Sequence, residues 1–174
     1  MNENTKVLIK NLMRYQVGFK CENYMQHYNF QPGQTIPVKW EHLADVAFNH
    51  GFRVMIEQAH LRILPTNENY NEIMEELQFT HLMEKVEKSL SYEDAKKLLS
   101  IKPLSTQYAK IKDYLKNGTS ATKENIANAA IEVKMKDYSM NEAILKATGI
   151  DVLKTLKLQE QPKEEVRNEE PSLD

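Results

Sequence analysis

Apolar positions recur at steps of three or four along most of this chain, the spacing of an amphipathic helix. Between Asn4 and Tyr28 the stripe is set by Val7, Leu8, Leu12, Tyr15 and Phe19, with Gly18 inside it as a point where a helix kinks or breaks. The run Phe30-Gln-Pro-Gly-Gln-Thr-Ile-Pro37 interrupts the stripe, because two prolines and a glycine do not continue a helix. Helix is expected again from Val38 or Lys39 to Asn49, with Trp40, Leu43, Ala44, Ala47 and Phe48 along it. Gly51 is expected to be the left-handed residue that ends it. The stretch from Phe52 to Leu64 fits two periods. Phe52, Met55, Ile56, Ala59 and Ile63 match a helix, whereas Phe52, Val54 and Ile56 followed by Leu61 and Ile63 match a short β-hairpin. The lack of Gly, Asn or Pro at the supposed turn favours the helix.

From Tyr70 onward every stripe is helical. Tyr70, Ile73, Met74 and Leu77 form one, and Phe79, Leu82, Met83, Val86 and Leu90 another. Ser91 reads as a helix cap followed by acids, Pro103 as a stop, and Ser105 and Thr122 as further starts. Ser139-Met-Asn-Glu142 has the form of a capping box, and its helix should stop at Gly149. The fold expected is mainly α, a multi-helix bundle of seven to nine helices. Its parts are an aromatic-rich N-terminal block (1–65), a C-terminal helical bundle (66–158) and an acidic tail (159–174).

The helix–glycine–helix layout at Leu43–Phe52 has the form of a helix-turn-helix. The spacing Val46-Ala47-x-x-x-Gly51-Phe52 resembles the first half of the helix-turn-helix of AraC-type regulators; after it, the positions where that family carries aromatics hold Ile56, Glu57 and Gln58. The resemblance implies a second helix that enters the major groove of DNA. Its candidate readers are Arg53, Gln58, His60 and Arg62, since Arg and Gln suit base edges. Glu57 and the apolar Val54-Met-Ile56 on the same element argue instead for burial.

Charge does not strengthen the nucleic-acid reading. The net charge is −2, and residues 105–158 carry nine Lys/Arg against six Asp/Glu, too small an excess for a phosphate-binding face. The tail holds two basic residues against six acidic ones. At 174 residues, with 41% hydrophobic and 28% charged positions, the chain can bury a real core. A single cysteine, Cys21, allows no internal disulfide, and no apolar run spans a bilayer, so a cytoplasmic protein with no membrane partner is expected.

Catalytic signatures are sparse. The five glycines stand alone, so neither Gly-x-Gly-x-x-Gly nor a Walker A pattern occurs. Glu57-x-x-His60 is one half of a di-iron ligand set that needs two such motifs. Cys21 with His27 or His42 as base lacks a flanking motif for activation. No catalytic residue, cofactor or metal is therefore expected.

What remains is a concentration of aromatics and methionine near the N-terminus. Tyr24, Met25 and Tyr28 do not all share the face set by Leu12, Tyr15 and Phe19, and together with Phe30 they are the candidate protein-binding residues. The expected function is that of a non-enzymatic adaptor or accessory protein on a larger protein assembly. The Asn-, Lys-, Glu- and Ile-rich composition suits a phage or low-GC bacterial source. A DNA-binding regulator is the alternative, and an enzyme with an unfamiliar site comes third.

Overall fold

Alternation, not the three-to-four step, decides the first segment. In Lys6–Asn11 (β1), Val7, Ile9 and Asn11 are buried while Lys6, Leu8 and Lys10 face outward to varying degree, which is the period of a strand. The computed structural model describes residues 5–160. It continues with Val17–Cys21 (β2), Gln26–Phe30 (β3) and Thr35–Lys39 (β4), then Trp40–Val46 (α1), His50–Glu57 (α2) and Leu61–Ile63 (β5). Tyr70–Glu76 (α3), a 3-10 turn at Thr80–Leu82, Met83–Glu87 (α4), Tyr92–Leu98 (α5) and Leu104–Asn117 (α6) follow. The last are Ser120–Glu132 (α7), Tyr138–Thr148 (α8) and Val152–Glu160 (α9).

The expectation of a mainly α bundle is therefore overturned: the described residues are 54% helix and 15% strand, a mixed α/β content with two small sheets. One sheet has the order β4-β1-β5, both neighbours antiparallel to β1, with Val7 opposite Val38 and Ile9 opposite both Ile36 and Ile63. The other is the β2–β3 hairpin, with Phe19 opposite Tyr28 and Cys21 opposite Gln26. Gly18 does not kink a helix. It lies in β2, where an added Cβ would come within 2.5 Å of the Tyr28 carbonyl oxygen and 2.6 Å of Asn29 Oδ1. Pro37 sits in β4, an edge strand, where its missing N–H costs no ladder bond on the open side.

The expected hairpin-or-helix at Phe52–Leu64 resolves into both kinds of structure but no hairpin. Helix α2 runs to Glu57, Ala59 takes a left-handed φ of 61°, and β5 then pairs with β1, far away in sequence. The helix–turn signal also differs from expectation. Helix α1 ends at Val46, and Asn49 caps α2, its Oδ1 accepting from the N–H of Gly51 at 2.9 Å and of Phe52 at 3.4 Å. Gly51 is thus inside the first turn of α2 and ends nothing. Similarly, α8 is capped by Asp137, which accepts from Met140 N–H at 2.7 Å, and not by Ser139.

Phe30, Phe52, Ile56 and Phe79 are fully buried with Val7 and Ile9 in a core between the sheets and the first helices. Ile111, Ile126, Met140, Ile144 and Val152 build a second core among α5–α9. Helix α7 joins them. Ala121 belongs to the first core and donates its N–H to Gln58 O at 3.1 Å, while the buried Asn125 amide donates to Leu12 O at 2.9 Å and Leu90 O at 3.0 Å. Gln159 and Glu160 end α9; the remainder of the acidic tail, 161–174, lies outside the described residues. Among the described residues no helix is long and apolar enough to cross a membrane.

Candidate functional site

The turn joining β2 to β3, Glu22-Asn-Tyr-Met25, is closed by Met25 N–H donating to Glu22 O at 3.2 Å. Met25 takes a left-handed φ of 47° and is 85% exposed, while Tyr24 is 45% exposed. A non-glycine residue at such a φ is uncommon, and the surrounding contacts hold it there. The Tyr24 ring lies 4.5 Å from the ring of His42 on α1, and the Asn23 amide donates to the Asp45 carboxylate one turn further along α1. His42 is buried. Its Nδ1 is 2.8 Å from Tyr28 Oη, its Nε2 is 3.4 Å from Glu41 Oε1, and its carbonyl accepts from the Cys21 thiol at 3.4 Å.

The four candidate protein-binding residues therefore separate into two pairs. Tyr24 and Met25 are outside. Tyr28 is half-buried, with its ring 5.3 Å from that of Phe19, and Phe30 is wholly buried in the core, so these two support the hairpin. The alternation of β3 accounts for the second pair, because Tyr28 and Phe30 share its inner face. Phe48, expected along a helix running to Asn49, is instead 65% exposed in the short link between α1 and α2, where Asn49 caps the next helix.

A line from phenol to imidazole to carboxylate (Tyr28, His42, Glu41) is the arrangement beside the hairpin that invites a catalytic reading. Burial raises the Tyr28 phenol above its ordinary pKa, which keeps its proton on the oxygen at neutral pH. The Cys21 thiol is pushed up to about 11, chiefly by burial and secondarily by Asp45. It should thus resist a thiol reagent at pH 8 in the folded protein and react at the rate of a free thiol in denaturant; equal rates in both conditions would contradict this burial. Among the described residues, no group of three His, Cys, Asp or Glu side chains could hold a metal ion.

The four candidate readers of DNA do not share one recognition helix. Arg53 is on α2, Gln58 follows its end, His60 is in the turn after it, and Arg62 is in β5. The Arg53 guanidinium donates to Ala47 O at 3.2 Å and Leu77 O at 3.3 Å, lies 4.6 Å from the centre of the Phe79 ring and has Glu57 at 4.0 Å. That side chain braces α2 against the α3 C-terminus. Gln58 is exposed, and its carbonyl holds α7. His60 is half-buried, and burial lowers its pKa. Arg62 is half-buried and donates to Ser89 O at 3.4 Å. No protein-family model, curated protein or solved structure matches this chain.

Proposed function

We propose that this chain is a non-enzymatic accessory protein that docks onto a larger protein assembly through the tip of the β2–β3 hairpin, with Tyr24 and Met25 entering the partner. The observation that carries the reading is the tip itself: a methionine 85% exposed at a left-handed turn position, beside a tyrosine whose ring already packs at a tilt on a buried histidine. Methionine and tyrosine are enriched where proteins bind proteins, and a side chain ordered before binding loses less entropy on docking. Asp45 and His42 hold the tip against α1, so it presents a fixed shape. The regulator alternative receives less support, because the Arg53 guanidinium is bonded to two carbonyls of its own chain.

The test places a photo-crosslinking amino acid at position 25 of the full chain in its native host, with position 146 on α8 as an exposed control. One protein of defined mass should be captured at 25 and not at 146. The pair Tyr24→Ala with Met25→Ala should weaken that association by about 2 kcal/mol or more while the circular dichroism spectrum stays unchanged. Equal capture at both positions, or none at either, would overturn the reading.

A further inference from the structure

A grooved surface lies among the C-terminal helices, away from the hairpin tip. Two hollows, about 340 and 510 Å³, open side by side along α6 and share Asp113 and Tyr114 as a common wall. Lys110, Asp113, Tyr114 and Asn117 stand at i, i+3, i+4 and i+7, one continuous helical face. At about 1.5 Å per residue, that face is about 10 Å long, two turns of helix. The larger hollow has an apolar floor from Leu90, Leu98, Ile101 and Ala109. The smaller is rimmed by α4, with Lys85 and Lys88, and floored by the hydroxyls of Ser89 and Thr119.

The rim charges are not balanced. Glu84 is paired with Lys88 at 2.6 Å, Asp94 with Lys97 at 3.2 Å, and Asp113 accepts from the Asn117 amide at 2.7 Å. Lys85 and Lys110, both exposed, have no carboxylate in ion-pair reach among the described residues. Asp113 keeps its charge, so the four lysines lining the two hollows exceed the three carboxylates by one; Lys85 and Lys110, one on each side of Tyr114 along the groove, are the lysines that stand outside the ion pairs.

We propose that this groove binds an acidic amphipathic segment of a partner protein, its apolar side chains on the Leu98–Ile101–Tyr114 floor and its carboxylates on Lys85 and Lys110. A helix laid in such a groove makes contact through residues at i, i+3 or i+4, and i+7, which matches two turns along α6. Charge complementarity selects the acidic occupant over a basic one. The site is separate from the hairpin tip and stands whether or not the tip docks.

The experiment selects binders from a random 16-residue peptide library on the full-length protein. Peptides with Leu, Ile or Phe at helical spacing and a net negative charge should be enriched. Synthetic copies should bind about tenfold more weakly to Lys85→Glu with Lys110→Glu, and more weakly as salt rises. A copy with its acids changed to Lys should regain affinity for that charge-reversed variant. Ala109→Asp, at an exposed position, should abolish binding without disturbing the fold, whereas Tyr24→Ala with Met25→Ala should leave it intact. No enrichment, enrichment of basic or aperiodic peptides, or loss of binding only with the Tyr24 and Met25 changes would each overturn the assignment.

Discussion

Phe52→Ala should destabilise the protein by about 3–5 kcal/mol, the range for removing a buried aromatic side chain. Phe52 is 1% exposed, meets Phe19 edge-on at 4.9 Å between ring centres and lies 6.5 Å from Phe79. It therefore joins α2 to the hairpin strand β2 and to the segment after α3. The cavity would also release Phe79, over which the Arg53 guanidinium sits. Urea denaturation followed by fluorescence and circular dichroism measures the loss. Phe48→Ala is the matched control: that ring is 65% exposed and should cost less than about 0.5 kcal/mol. Comparable losses for the two variants would show that the core has been misplaced.

Asn11→Ala should cost about 2–4 kcal/mol, although it removes only a short polar side chain. Asn11 is wholly buried at the end of β1. Its amide donates to Tyr15 O at 2.8 Å, Phe30 O at 3.0 Å and Gln31 O at 3.1 Å, and its Oδ1 accepts from Met13 N–H at 2.8 Å. These bonds tie both feet of the β2–β3 hairpin to the central strand. Alanine would leave buried backbone groups without partners, and a group stranded in this way costs more than a bond gains. Amide hydrogen exchange should speed up across residues 17–30 before the rest of the chain. If the tip is the docking element, Asn11→Ala loses docking together with stability, whereas Tyr24→Ala loses docking alone. Unchanged exchange in the hairpin would disprove the tethering role.

The C-terminal helices were legible in the sequence because their signals are local. Ser91 caps α5 as its spacing indicates, and α8 ends on Gly149 at a left-handed φ of 76°. The N-terminal strands were not legible, for a physical reason. Val7, Leu8 and Leu12 satisfy a helical step as well as Val7 and Ile9 satisfy alternation, and what decides between them is pairing with Val38 and Ile63, far along the chain. Strand stability resides in those cross-strand neighbours, which no local window contains. Tyr24 and Met25 stand out in the sequence for lying off the stripe of an expected helix, whereas their exposure comes from a β-turn; the burial of Phe30 depends on strand pairing and on Phe19 beside it, which no local window contains. Arg53 looked available because the carbonyl that occupies it, Leu77 O, comes from a separate helix end.

Helix α7 lends its first turns to one core and the rest of its length to the other. Loosening either half strips a wall from its neighbour, so heat or denaturant should meet one cooperative unit and not two. A partner that grips only the folded form at the hairpin tip would then raise the free energy of opening everywhere, the α6 groove included. Two distant binding events can thus be linked with no moving part between them, solely because both require the same helix to remain in place.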